Sequence, residues 1–189
     1  VNQGGTFTAA VLMLKQPGMG KAIYISLAVS SAVDVLIVFL PLFGTENNFS
    51  PFAVGVILAI RAGTSMFSRI FLGVIAQKLG SHFLMVSSIV ASTVFCTAMF
   101  FARTPISLGI AVAIAGLALG VGQPLTMSLV SRLAPPQDRA LAISARLTAN
   151  RVGQFVVPAS AGAIAGAAGA GSIFLGLAAL LASSIFTAL

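Results

Sequence analysis

Apolar residues run along this chain in six blocks, separated by short connectors rich in turn-forming residues. A membrane-spanning helix needs about 20 mostly apolar residues, and the blocks fall at 21–43, 51–76, 82–102, 105–131, 139–167 and 171–189. The connectors have hairpin chemistry, as in Phe43-Gly44-Thr45-Glu46-Asn47-Asn48-Phe49-Ser50-Pro51 and Ala134-Pro135-Pro136-Gln137-Asp138-Arg139. Ser50 before Pro51 starts the second helix, and Asp138 is placed to cap the fifth. The pattern predicts an all-α, polytopic integral membrane protein, a six-helix bundle over residues 21–189. Residues 1–20 are expected to form a cytoplasmic loop or interfacial segment, because Lys15 and Lys21 follow the apolar stretch Ala9 to Leu14, the reverse of a signal peptide. A start at Val1 and a stop at Leu189 within an apolar run suggest a fragment.

Polar residues inside the blocks keep helical spacing. In the second helix Arg61, Thr64, Ser65, Ser68 and Arg69 form one stripe. In the first, Ser26, Ser30 and Asp34 share a face; in the fifth, Arg146, Asn150 and Gln154 lie on one side with Arg151 rotated by about 100° from Asn150. Helices three and six carry no charge between their ends. Helices one, two and five are therefore expected to line a polar interior, with three and six facing lipid. In helix four, Gly116 and Gly120 form a small-xxx-small pair suited to close helix contact, followed by Gln123-Pro124 at a kink.

Composition sharpens this picture. The chain is 58% hydrophobic and 7% charged, against about 25% charged in a soluble domain, which excludes an ordinary water-facing globule. Ten Lys and Arg against three Asp and Glu give +7, but so little polar surface remains that a nucleic-acid partner is not expected. The charges bear on topology instead. With the N-terminal end cytoplasmic, Lys15, Lys21, Lys78, Arg132 and Arg139 lie inside and Arg103 alone lies outside, together with Glu46. The other four arginines, Arg61, Arg69, Arg146 and Arg151, fall within spans. An Arg at a helix centre costs about 2.5–3.5 kcal/mol by insertion scales, so these should face protein or a wet cavity.

For each, a structural role stands beside a functional one. Asp34 and Arg61 form either a structural ion pair or a solute or proton site. Arg69 snorkels or braces a loop, Arg146 braces helices or meets solute, and Arg151 with Asn150 and Gln154 is the strongest solute-contact candidate. His82 is expected to be a solvated residue at the start of helix three. The single Cys96 supports neither a disulfide nor a metal cluster, and no catalytic motif or cofactor site is expected. An aquaporin-type channel would need two Asn-Pro-Ala motifs, which the sequence lacks.

The connector Gly73-Val74-Ile75-Ala76-Gln77-Lys78-Leu79-Gly80-Ser81-His82 resembles the major facilitator superfamily signature G-x-x-x-D-R-x-G-R-[RK], with Gln77 at the acidic position and Ser81-His82 at the basic pair. Leu133 to Ala140 resembles the family's cytoplasmic connector into the eleventh helix, and Arg151 to Gly162 the Gly/Pro-rich stretch within that helix. The last stretch also approximates a fifth-helix motif of antiporters; the eroded connector favours the carboxyl-terminal half. The resemblance implies helices seven to twelve of a twelve-helix transporter. It implies secondary active transport of a small solute by alternating access, with coupling to H⁺ or Na⁺ left open; the surplus of positive charge within the spans favours an anionic or polar organic solute, although a structural ion-pair network would look the same. Asp34, Arg61, Asn150, Arg151 and Gln154 would then face the cavity, and Arg69, Gly73, Gln77, Lys78, Gly80, Arg139, Arg146, Gly153 and Pro158 would serve gating or scaffolding. The implied partners are the solute, membrane lipid and an amino-terminal six-helix half, and the implied location is a bacterial inner membrane. A non-transporting receptor or assembly factor of the same fold is the alternative. The family's inverted repeat would make helices two and five equivalent; Arg61 follows Pro51 by ten residues, as Arg146 follows Pro136.

Overall fold

The computed structural model describes residues 16–188, so Lys15 and most of the expected interfacial segment lie outside the described residues. Six helices follow: α1 Met19–Glu46, α2 Pro51–Leu79, α3 Ser81–Phe100, α4 Pro105–Leu133, α5 Arg139–Ala168 and α6 Gly171–Ala188, with a 3₁₀ turn at Pro136–Asp138 before α5. Helices α1 to α4 are long and apolar enough to cross a membrane; α6 is apolar but shorter. With Arg146 of α5 buried and Arg151 turned to a cleft, the chain is an integral membrane helical bundle.

The helices extend further into the connectors than hydropathy indicates, because a polar residue at a membrane surface can still be helical. Helix α1 continues to Glu46, where Asn47 closes the last turn by donating its backbone and side-chain N–H groups to the Phe43 carbonyl. Helix α2 begins as its sequence signals, with Ser50 Oγ accepting from the Ala53 N–H at 3.2 Å and Pro51 at the first position. It then runs to Leu79, leaving Gly80 as the sole residue between α2 and α3. Gly80 has φ +82° and Gly169, which joins α5 to α6, has φ +81°; an L side chain is strained in that region. Asp138 does not cap as expected. It stands at the N-cap of α5, but its side chain makes no cap hydrogen bond, its backbone being part of the 3₁₀ turn.

Packing is reciprocal between the two three-helix halves. Helix α2 lies along α4, α5 lies along α1, and α3 lies along α6, while α1 and α4 meet at the centre. The main core follows this plan, with Leu36, Leu40, Ile89, Met99, Leu108 and Phe174 fully buried between the central pair and α3 and α6. Two hydrogen bonds tie α1 to α6 and its lead-in: Tyr24 Oη with Ser183 Oγ at 2.6 Å, and Glu46 Oε2 accepting from the N–H of Ala170, just before α6, at 2.8 Å. The expectation that α1, α2 and α5 line a polar interior leaves out α4, which the structure adds to them. Helices α1 and α4 form the centre, and α2 and α5 flank it. Only Val54, Ile57 and Ser68 of α2 are buried, while Met66, Phe67 and Ile70 are exposed.

The polar stripe of α2 explains how it holds its place. Thr64 and Ser68 turn their hydroxyls back to their own helix, onto the carbonyls of Arg61 and Ser65. Their side chains sit against Gly116 and Gly120 of α4. A Cβ at Gly116 would lie 2.9 Å from the Arg61 carbonyl oxygen, and one at Gly120 would lie 2.8 Å from the Ser65 Cα. Small residues permit this approach, and in lipid close van der Waals packing is the main adhesive between helices. The crossing of α5 over α1 uses the same device in reverse, with Gly153 on α5 pressed against Leu27 and Ser31 of α1.

Candidate functional site

A cleft of about 440 Å³ opens where α2, α4 and α5 converge, with Ser30 of α1 at its edge. Helix α2 contributes Arg69 and Leu72; α4 contributes Gln123, Pro124 and Met127; α5 contributes Arg146, Leu147, Asn150, Arg151 and Gln154. Three guanidiniums, three carboxamides and a hydroxyl share the walls with Leu72, Met127 and Leu147. That combination suits a ligand with acceptor oxygens at one end and an apolar body at the other.

The polar groups are not equally free. Asn150, 7% exposed, accepts from Ser26 Oγ at 3.2 Å and donates to Ser30 Oγ at 3.1 Å. It staples α5 to the polar face of α1, so both ends of its carboxamide are spent within the bundle. Arg146, 5% exposed, donates through Nη2 to the Gln123 carbonyl and to Thr126 Oγ1, each at 3.2 Å, while its Nε has no partner. Arg69 crosses from α2 to α4, donating through Nε to the Gly120 carbonyl at 3.2 Å and through Nη2 to Gln123 Oε1 at 2.8 Å. Of the snorkelling or loop bracing expected of Arg69, the structure shows bracing, directed at α4.

Arg151 is held more lightly. Its Nη1 donates to Gln154 Oε1 at 2.9 Å, and Gln154 in turn lies close to Asp34. Arg151 is otherwise exposed to the cleft. Asp34 and Arg61 do not line the cleft. They lie beside it and act on each other through space, with Asp34 Oδ2 and Arg61 Nε both buried without a hydrogen-bond partner.

The reciprocal packing extends to these side chains. The shift along the chain that carries Arg61 onto Arg146 also carries Ser68 onto Gly153 and Arg69 onto Gln154. The shift that carries Ser31 onto Gly120 also carries Asp34 onto Gln123 and Gly80 onto Gly169. Each set of partners maps onto the other: Ser68 against Gly120 matches Gly153 against Ser31, and Arg69 on Gln123 corresponds in position to Gln154 near Asp34. Arg146, on the Gln123 carbonyl, likewise corresponds in position to Arg61.

The remaining expected site residues are scattered. Gln77, Lys78 and Arg139 are exposed at the ends of α2 and α5. Gly73 is exposed too, and a Cβ there would meet nothing within 4 Å. Pro158 lies four residues after Gln154 in α5 and removes the N–H that would bond the Gln154 carbonyl. His82 lies in the first turn of α3 and shares a small recess with Arg132. Gln123 and Thr126 were not singled out from the sequence as site residues. The available signal was Pro124, which leaves the Gly120 carbonyl without its helical donor one turn away from an arginine-bearing neighbour.

A family model described as Major Facilitator Superfamily matches residues 22–189. The chain is similar to a protein of Lactococcus lactis subsp. lactis (strain IL1403) described as "Multi-drug resistance efflux pump PmrA homolog". The two are 29% identical over 122 residues, which cover 65% of this chain and 30% of the relative, so the match spans under a third of that protein's length.

Proposed function

The chain belongs to the major facilitator superfamily, and on that premise we propose that it forms the carboxyl-terminal six-helix half of a secondary transporter. The solute is a small organic molecule bearing an anionic or strongly polar group, bound in the cleft and exposed to each side of the membrane in turn. The observation that carries this reading is the state of the three cleft arginines. Arg69 and Arg146 are engaged by α4, whereas Arg151 is tied only to Gln154 and keeps donors for a ligand. Gln154 completes the site, and beside it the half-buried Asp34 carboxylate either balances Arg151 or carries the coupling proton. Asn150 fixes α5 on α1 so that these groups stay in register.

The amino-terminal six-helix half supplies the facing wall, against the exposed sides of α2 and α5. Gly73, Gln77, Lys78 and Gly80 help close the cytoplasmic side against that half, and the bare surface at Gly73 supports a partner beyond this bundle. The lysine and arginine balance of the connectors supports a cytoplasmic N-terminal end in a bacterial inner membrane. Transport requires no cofactor beyond the coupling ion and no catalytic group. The likeness to an efflux pump supports export as the direction. Flux in proteoliposomes of the full-length protein tests the reading: concentrative or counterflow movement of carboxylate solutes is expected, while binding without flux would favour a receptor.

A further inference from the structure

Pro124 interrupts α4 at the wall of the cleft. Lacking an N–H, it leaves the Gly120 carbonyl without its regular donor one turn on, and an unsatisfied carbonyl in a membrane interior is costly. The replacement donor is Arg69 Nε, arriving from α2 at 3.2 Å. The same guanidinium extends Nη2 to Gln123 Oε1 at 2.8 Å. A carboxamide whose oxygen is taken by a guanidinium has its orientation fixed, since the reverse flip would set N–H against N–H. The nitrogen of Gln123 hydrogen-bonds no described residue and belongs to a side chain that lines the cleft.

We propose that Arg69 is a positioning residue and that Gln123 is the group it positions, a donor from α4 that reads an acceptor oxygen on the solute opposite Arg151. This rests on the reading of the cleft as a solute site. One end of a carboxylate meets the Arg151 guanidinium and the other meets the Gln123 amide, while Leu72, Met127 and Leu147 face the apolar body. Arg146 supports the same stretch of helix by donating to the Gln123 backbone carbonyl. The proline break, two flanking arginines and one oriented amide thereby form a single unit, and Arg69 contributes to recognition without touching solute.

Two measurements on the purified full-length carrier test this. In the first, benzoate serves as a carboxylate probe and binding is read from its thermal shift. Arg69→Gln and Gln123→Ala should each weaken benzoate by about tenfold, the scale of one charge-assisted hydrogen bond, and the double variant should be no weaker than either single one. Unchanged benzoate affinity in Arg69→Gln, or losses that multiply in the double variant, would overturn the proposal. The second measurement needs no ligand. Arg69→Gln should lower the melting temperature, and at least half of that loss should vanish in a Pro124→Ala background, where residue 124 supplies the missing N–H. Additive losses would overturn the notch as the reason for Arg69. A carrier that shows no benzoate shift, yet shows this coupling, places the fault in the anionic-solute reading; it leaves the bracing of α4 by Arg69 standing and removes Gln123 as the reader of solute.

Discussion

The crossing of α2 over α4 and the crossing of α5 over α1 occupy equivalent places in the bundle but end in different chemistry. Both are made by a glycine and a serine at closest approach, Gly120 with Ser68 in one and Gly153 with Ser31 in the other. Beside the first, Arg69 satisfies Gly120 and Gln123, and the Ser68 hydroxyl bonds its own helix. Beside the second, the Ser31 hydroxyl and one oxygen of Asp34 are buried without partners, and Arg151 keeps donors facing the cleft. One crossing is closed and braces; the other retains unspent polar capacity, and transport chemistry requires such capacity. The same backbone plan thus supports division of labour through a handful of side chains.

The comparison can be broken at the glycines first. Gly120→Ala should produce the larger loss of thermal stability, about 1–3 kcal/mol, because its Cβ would meet the backbone of Ser65, which cannot yield without moving a helix. Gly153→Ala should cost visibly less, because Leu27 and Ser31 present side chains there that can rotate. Equal losses in denaturation of the detergent-solubilised full-length protein would show that the two crossings are equally rigid.

A smaller effect is expected at the staple of α5 to α1. Asn150→Ala removes two hydrogen bonds and should cost about 1–2 kcal/mol, given the modest worth of such bonds between membrane helices. Cross-linking of paired cysteines across α1 and α5 should broaden in that variant, whereas α2 to α4 pairs should not respond. The smallest change is Ser31→Ala, expected to be neutral within about 0.5 kcal/mol, since the hydroxyl it deletes has no partner to lose. A marked destabilisation would mean that Ser31 holds a water or solute group, which would sharpen the contrast with Ser68.

These contrasts were only partly legible in the sequence. Six apolar blocks placed the helices because the bilayer imposes a length on each, and the Gly116-Gly120 pair announced a close contact because little else explains two glycines in such a run. The division between α2 and α5 was hidden. The α2 stripe from Arg61 to Ser68 looks like a cavity lining at helical spacing, and only the position of α4 shows that Thr64 and Ser68 are packing groups. Asn150 likewise looked available, and its two partners lie more than a hundred residues away in α1. Gln123 was marked only by its neighbour Pro124, whose effect on the Gly120 carbonyl becomes visible once Arg69 is seen to reach it.

The central claim is that the α5 to α1 side of the cleft holds the solute through Arg151. It is tested most directly by benzoate counterflow into proteoliposomes of the full-length carrier, comparing the unaltered protein with Arg151→Gln. The account predicts that the substitution lowers counterflow by at least about tenfold, the loss of one charge-assisted contact in a desolvated site, while the melting temperature stays within a few degrees. Counterflow in Arg151→Gln equal to that of the unaltered carrier would contradict it.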